Sequence, residues 1–179
     1  GRRTQDPGYA SGHQCEAQKD GFWEATQKMG NYVFTMNTYA RGVEQNELTK
    51  PFVDAYVKRF GETPAYTADT YAVIVHRLAP AIEKVGTLDS AKLVAFIEND
   101  VSKGPSGTVA YLKDAEGRHT HDQRWGPGYL TSVGVQWQDG ELKGVWPNKW
   151  KATPEAPEIT YKGVVPVKIA PWMIEKYKK

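Results

Sequence analysis

Residues 49–86, TKPFVDAYVKRFGETPAYTADTYAVIVHRLAPAIEKVG, constrain this chain more than any other stretch, because they require a sheet to lie on. The spacing of Phe52, Val53, Tyr56, Val57 and Phe60 predicts an amphipathic helix, with Lys50, Asp54, Lys58 and Arg59 on its other side. Thr49 is expected to cap its start and Gly61 to stop it, with Pro51 in the first turn, where its missing N–H does no harm. After a Gly-Glu-Thr-Pro elbow, the second helix is apolar nearly all round, through Ala68, Tyr71, Ala72, Val73, Ile74, Val75, Leu78, Ala79, Ala81, Ile82 and Val85. Gly86 closes it. Such a helix is expected to lie against a sheet, with a neighbour on its other side.

Few strands are available for that purpose. Before the helix pair, residues 1–15 read as a loop, residues 16–28 as a short helix weakened by Gly21, and residues 32–36 (YVFTM) as a buried strand. After it, Thr87 or Asp89 can cap a third helix over residues 90–98. Residues 102–107 read as a turn, 108–112 as a strand and 114–117 as a tight turn leading into the polar stretch 118–128. Residues 130–137 and 141–146 form a hairpin around Asp139-Gly140, and a proline-marked tail follows with short strand-like pieces, ITY and VVPVKI. The class is α/β, yet one strong strand before residue 100 cannot shield three amphipathic helices. Part of the sheet is expected to lie elsewhere.

Composition narrows the classes of function. A hydrophobic fraction of 40% in 179 residues is enough for a core and argues against global disorder. The net charge of +2 is spread without a basic stripe, so no nucleic-acid partner is expected. Cys15 is the single cysteine, which rules out an internal disulfide and a thiolate metal cluster. No apolar run approaches the roughly 20 residues of a membrane helix. The opening GRRTQDPGYASG reads as the middle of a longer chain, so a mature or truncated piece is expected.

Five motifs in order carry a resemblance: a helix ending F-G-x-x-P, a Tyr-Ala helix, G-x-x-G-x-V in GPSGTV, D-x-x-G in DAEG, and Q-W-x-D-G in QWQDG. Over roughly residues 20–147 the chain resembles the C-terminal part of a type I periplasmic solute-binding protein, of the leucine/isoleucine/valine-binding group that serves ABC transporters. The resemblance implies two three-layer α/β/α lobes joined by hinge strands, with ligand held between them. Residues 1–38 would end the C-terminal lobe and residues 39–117 would form the second part of the N-terminal lobe. Residues 118–179 would cross back to the C-terminal lobe, with the hairpin and an extended tail. The first half or more of such a protein is absent here, so the remainder, covalently joined or separate, is an expected partner.

Candidate ligand-binding residues sit at the elbow: Tyr66, Thr67 and Asp69, at the N-terminus of the long helix, where backbone N–H groups and the helix dipole favour a carboxylate. The resemblance places the aromatic matching Tyr66 on the cleft wall. From the other lobe it brings in loop 5–12, whose one aromatic is Tyr9. Relatives that bind amino acids place an acid near this loop for the ligand ammonium. Asp6 and Glu16 are the acids at hand, and neither stands in a matching motif, which leaves room for an aromatic acid, an amide or another small carboxylate.

A rival reading takes His119, His121 and Asp122 as a zinc or iron site of an enzyme, because histidines at i and i+2 on a strand face the same way. A polar segment crossing between lobes accounts for them more simply. No G-x-S-x-G elbow, phosphate loop or Cys-His pairing stands in the sequence. Trp125, Trp137, Trp146 and Trp150 are expected to cap the edges of the hairpin. The expectation is therefore a non-enzymatic solute-binding component of an ABC importer, needing no cofactor, with a small amino-acid-like or carboxylate ligand and a membrane permease as partners. It would be exported by a signal in its precursor and work in the periplasm, or tethered outside the cell. A ligand-sensing domain of the same fold is a third reading.

Overall fold

The computed structural model describes residues 14–68, 73–154 and 156–178. A 3-10 turn at Glu16–Gln18 precedes α1 (Phe22–Ala25), β1 (Phe34–Asn37) and α2 (Thr49–Phe60). A π-helical turn at Ile74–Leu78 runs into α3 (Ala79–Val85), followed by α4 (Ser90–Ile97). Strands follow: β2 (Ser102–Gly104), β3 (Gly107–Val109), β4 (Tyr111–Lys113), β5 (His119–Gln123), β6 (Val133–Gln138), β7 (Glu141–Trp146), β8 (Lys149–Trp150) and β9 (Ile159–Thr160). The last described element is α5 (Pro171–Tyr177). The fold is mixed α/β, as the sequence indicates.

The Asp139-Gly140 hairpin is the centre of the main sheet, an antiparallel array in the order β1-β6-β7. Both turn residues have positive φ, 55° and 89°, as a tight two-residue hairpin turn requires. All six residues of β6 are buried, and their alternation assigns two jobs. Val133, Val135 and Trp137 enter a core with Ala40, Val43, Leu142 and Tyr161. Trp23 stacks on Trp137 at 5.9 Å, and the Trp137 indole N–H donates to the Ala17 carbonyl at 2.8 Å. Gly144 of β7 has no room for a side chain, since a Cβ there would come within 2.4 Å of Val43. That absence lets residues 39–46 lie on the hairpin.

Gln136 and Gln138, alternating with the core residues, bind the C-terminal segment. The Gln136 amide donates to the Lys168 carbonyl and accepts from the Lys168 N–H, both at 2.9 Å, so one side chain does the work of a ladder residue. Gln138 Nε2 donates to the Pro166 carbonyl at 2.9 Å, and the Val165 N–H to the Gly144 carbonyl at 2.9 Å. The VVPVKI piece expected as a strand is therefore extended along the sheet but held through amides rather than a ladder. The proline at 166 denies it a donor there.

The helix pair forms as expected, with two differences. Gly61 (φ 77°) closes α2 by donating to the Val57 carbonyl, and Gly86 (φ 70°) closes α3. Thr49, however, does not cap α2. It is buried, its hydroxyl accepts from the Asn46 N–H (3.0 Å) and donates to the Pro105 carbonyl (2.7 Å), which fastens α2 to the β2–β3 hairpin. The second difference is the apolar helix. Val73, Ile74, Val75 and Leu78 are 41%, 48%, 46% and 36% exposed, so the sheet and the second neighbour expected for that face are not supplied by the described residues. Its other side is well covered. Arg77 is 5% exposed and donates to Ser102 Oγ (2.9 Å) and the carbonyls of Ile97 (2.8 Å) and Val109 (3.3 Å), with its guanidinium 4.9 Å from the Tyr111 ring centre. A single cation thus satisfies carbonyls at the end of α4 and in β3.

Five smaller expectations shift. Residues 16–28 give the 3-10 turn and only a four-residue helix, with Gly21 between them. Residues 102–107, read as a turn, pair as β2 and β3, and the polar stretch after 118 pairs as β5 with β4. The tail ends in a helix, α5, that its prolines concealed. The tryptophans do not share one role: Trp137 is core, Trp146 and Trp150 meet edge to face at 5.2 Å, and Trp125 is 63% exposed.

Replacing Gln136 by Met should leave the Lys168 backbone groups and Gln138 short of partners, lowering stability by about 1–3 kcal/mol, with faster amide exchange over residues 165–169. Denaturant melts and hydrogen exchange check it. The same segment is pinned by Lys168 to Asp139, whose pKa is lowered by that hydrogen bond and charge while that of Lys168 is raised. A lowered acid stabilises above its ordinary value and a raised base below its own. The protection factors of the tail amides should therefore be highest from about pH 4 to about pH 10 and fall on either side.

Candidate functional site

The elbow, residues 61–68, connects α2 to the apolar helix and faces the start of the described chain. Pro64 is fully buried and Thr63 is 6% exposed, so the elbow is anchored rather than loose. The anchor is Asp20. Its Oδ2 accepts from the Thr63 N–H at 2.9 Å, the Thr63 hydroxyl at 3.3 Å and the Arg41 guanidinium at 3.0 Å. Three segments far apart in sequence meet on one carboxylate oxygen. Beside it lies a cavity of about 280 Å³ between the elbow (Gly61, Thr63) and the hairpin turn (Gly140 to Lys143), with Trp137 and Arg41 in its walls.

Tyr66 stands at the crest of the elbow and is 45% exposed. Glu16 holds the Lys19 ammonium at 2.9 and 3.2 Å and raises its pKa, first by the hydrogen bond and then by charge. Lys19 and Glu16 thus form an exposed ion pair next to Asp20. Thr67 is exposed and turns the other way, into an apolar groove of about 430 Å³ formed with Phe52, Tyr56, Arg59 and Phe60. An aromatic row, Tyr39–Phe52–Tyr56–Phe60, with centroids 5.1, 6.2 and 4.6 Å apart, gives that groove a stiff floor.

Of the residues expected to touch ligand, the structure places Tyr66 and Thr67 on one elbow but on different sides of it. Tyr9 and Asp69 lie outside the described residues. Asp20 and Arg41 were not legible as anchors of the elbow. The contacts that reveal them span 43 and 21 positions, and no local spacing signals them.

The metal reading does not survive the geometry. His119 Nε2 meets Asn99 Oδ1 at 3.2 Å and His121 Nε2 meets Glu98 Oε1 at 2.5 Å, so both rings turn towards the end of α4, as alternation requires. Asp122 is not brought to them, and among the described residues no group of three or more His, Cys, Asp or Glu could hold a metal ion. Among the same residues no helix is long and apolar enough to cross a membrane.

No protein-family model matches the chain, and no curated protein matches it. Solved structures do. A leucine-binding protein from Thermotoga maritima aligns with a TM-score of 0.50 and 21% identity, over 71% of this chain and 33% of its own. A solute-binding protein of an ABC transporter from Rhodopseudomonas palustris, in complex with 3,4-dihydroxybenzoic acid, aligns with a TM-score of 0.51 and 23% identity, over 83% of this chain and 36% of its own. At such identities the likeness is one of fold. The chain has part of the periplasmic binding-protein type I fold and spans about a third of the length of these proteins.

Replacing Asp20 by Ala should leave the buried Thr63 N–H without its acceptor, costing about 1–3 kcal/mol and speeding amide exchange across residues 63–68. Asp20→Asn keeps an acceptor oxygen and should recover part of that loss in a urea melt.

Proposed function

We propose that this chain, carrying part of a type I binding-protein fold, belongs to the solute-binding component of an ABC importer. It would hold a small amino-acid-like or carboxylate ligand, aromatic acids included, in a cleft between two lobes. The supporting observation is the meeting of the elbow with the segment that follows residues 1–13. Thr63 is tied to Asp20, and Tyr66 stands exposed on the elbow so anchored. An exposed aromatic on a fixed backbone suits the wall of a small-molecule site. The ligand of the Rhodopseudomonas protein, 3,4-dihydroxybenzoic acid, is of this chemical class.

In this reading residues 1–38 and 118–179 belong to one lobe and residues 39–117 to the other, with the rest of the same protein completing both. The pairing of β1 with β6 supports the first grouping. The pairing of β4 with β5 joins residues on either side of the boundary at 118. Tyr66, Thr67 and Asp69 would line one wall, and Tyr9 the other. Ligand bridging both walls stabilises the closed arrangement by its higher affinity for that state, and a membrane permease reads the closed form. No bond is made or broken. The working compartment is the periplasm, or the outer surface of a cell with a membrane tether.

Titration calorimetry of the full-length protein with 3,4-dihydroxybenzoate and with leucine tests the site. Tyr66→Ala should weaken binding of the preferred ligand about ten-fold, which corresponds to about 1.4 kcal/mol, at an unchanged melting temperature. Unchanged affinity would remove Tyr66 from the cleft.

A further inference from the structure

We infer that the groove between α2 and residues 67–68 is a second small-molecule site, suited to a single-ring aromatic carboxylate and separate from the proposed cleft. Tyr66 is not among its walls, so the two sites stand or fall apart. Phe52, Ala55, Tyr56, Arg59 and Phe60 follow one another at i, i+3, i+4, i+7 and i+8, and so form one stripe of α2. Thr67 and Ala68 complete the lining, which encloses about 430 Å³. The stripe is supported from below: Phe52 and Tyr56 pack on a core of Tyr39, Val53 and Ala68.

The chemistry of the walls selects the occupant. The row of tilted rings ends at Phe60, which is 56% exposed and 4.6 Å from Tyr56. A ligand ring laid there continues the row in the tilted or offset geometry that aromatic pairs prefer. The Arg59 guanidinium stands at the same end, 5.4 Å from the centre of the Phe60 ring. Among the described residues no acid lines the groove or pairs with Arg59. A planar cation beside open aromatic faces matches a carboxylate carried on a ring, which its fork can hold by two parallel N–H···O bonds. Arg77 gives the contrast, since its guanidinium is 5% exposed and already donates to Ser102 and to the carbonyls of Ile97 and Val109. The size agrees with a small ligand, whose pockets span roughly 300–1,000 Å³. A protein partner needs roughly 800 Å² on each side. Outside the stripe α2 turns charged, with the exposed Lys50–Asp54 pair and Lys58.

The test is a fluorine NMR titration of the full-length protein with para-fluorobenzoate, and with para-fluorobenzamide as its neutral match. Arg59→Gln should weaken binding of the acid about ten-fold and leave that of the amide unchanged. Arg59→Lys keeps the charge without the fork and should recover part of the loss. Phe60→Ala should weaken both probes about five-fold. Both side chains are exposed, so these variants should melt as the parent does. Binding should persist in Tyr66→Ala. No binding at millimolar acid, or an affinity that Arg59→Gln leaves unchanged, overturns the inference. Loss of binding in Tyr66→Ala alone puts the acid in the cleft, so that the cleft reading stands and the groove falls. Loss in Arg59→Gln alone does the reverse for this class of ligand.

Discussion

Strand β6 is the element from which the two ends of this chain are suspended. Every one of its residues is buried, and its two faces divide the labour. Val133, Val135 and Trp137 form the apolar core, and Trp137 also reaches back to the Ala17 carbonyl. Gln136 and Gln138 turn to the other face and hold residues 165–168 by their amides. A buried amide costs free energy unless its donors and acceptors are met, and here they are met by backbone that has no ladder of its own. Without β6, the segment that carries Asp20 would lose its support, and the Thr63 turn its anchor.

The second half of the architecture depends on a different economy. Around Arg77, one guanidinium meets carbonyls from α4 and β3, so a helix C-terminus and a hairpin are tied without a partner acid. The elbow is then fixed from both directions: α2 by Thr49 on Pro105, and the Thr63 turn by Asp20.

Much of this was legible because it was local. The Asp139-Gly140 turn, the glycine stops at 61 and 86, the α2 pattern and the Asp89 cap on Lys92 all follow from residues within a few positions of one another. The shortage of strands for the apolar helix was legible too, and its exposed face is the structural counterpart of that arithmetic. What escaped were contacts between distant segments. The buried role of Trp137 depends on Ala17 and Trp23, the displacement of Thr49 from its cap on Pro105, and the site character of Asp20 on Thr63. For the histidine pair, spacing fixes which way two rings face but not what stands opposite them. Glu98 and Asn99 stand there, as hydrogen-bond partners rather than as a completed ligand set.

The exposed apolar helix face is expected to leave the 179-residue chain short of a full core, and calorimetric unfolding of that chain by itself tests this most directly. The prediction is a broad, low-temperature transition with an enthalpy well below the roughly 0.7 kcal/mol per residue of ordinary globular domains. A sharp, high-temperature, two-state transition with the full enthalpy would contradict it, since a chain so stable would need no further sheet.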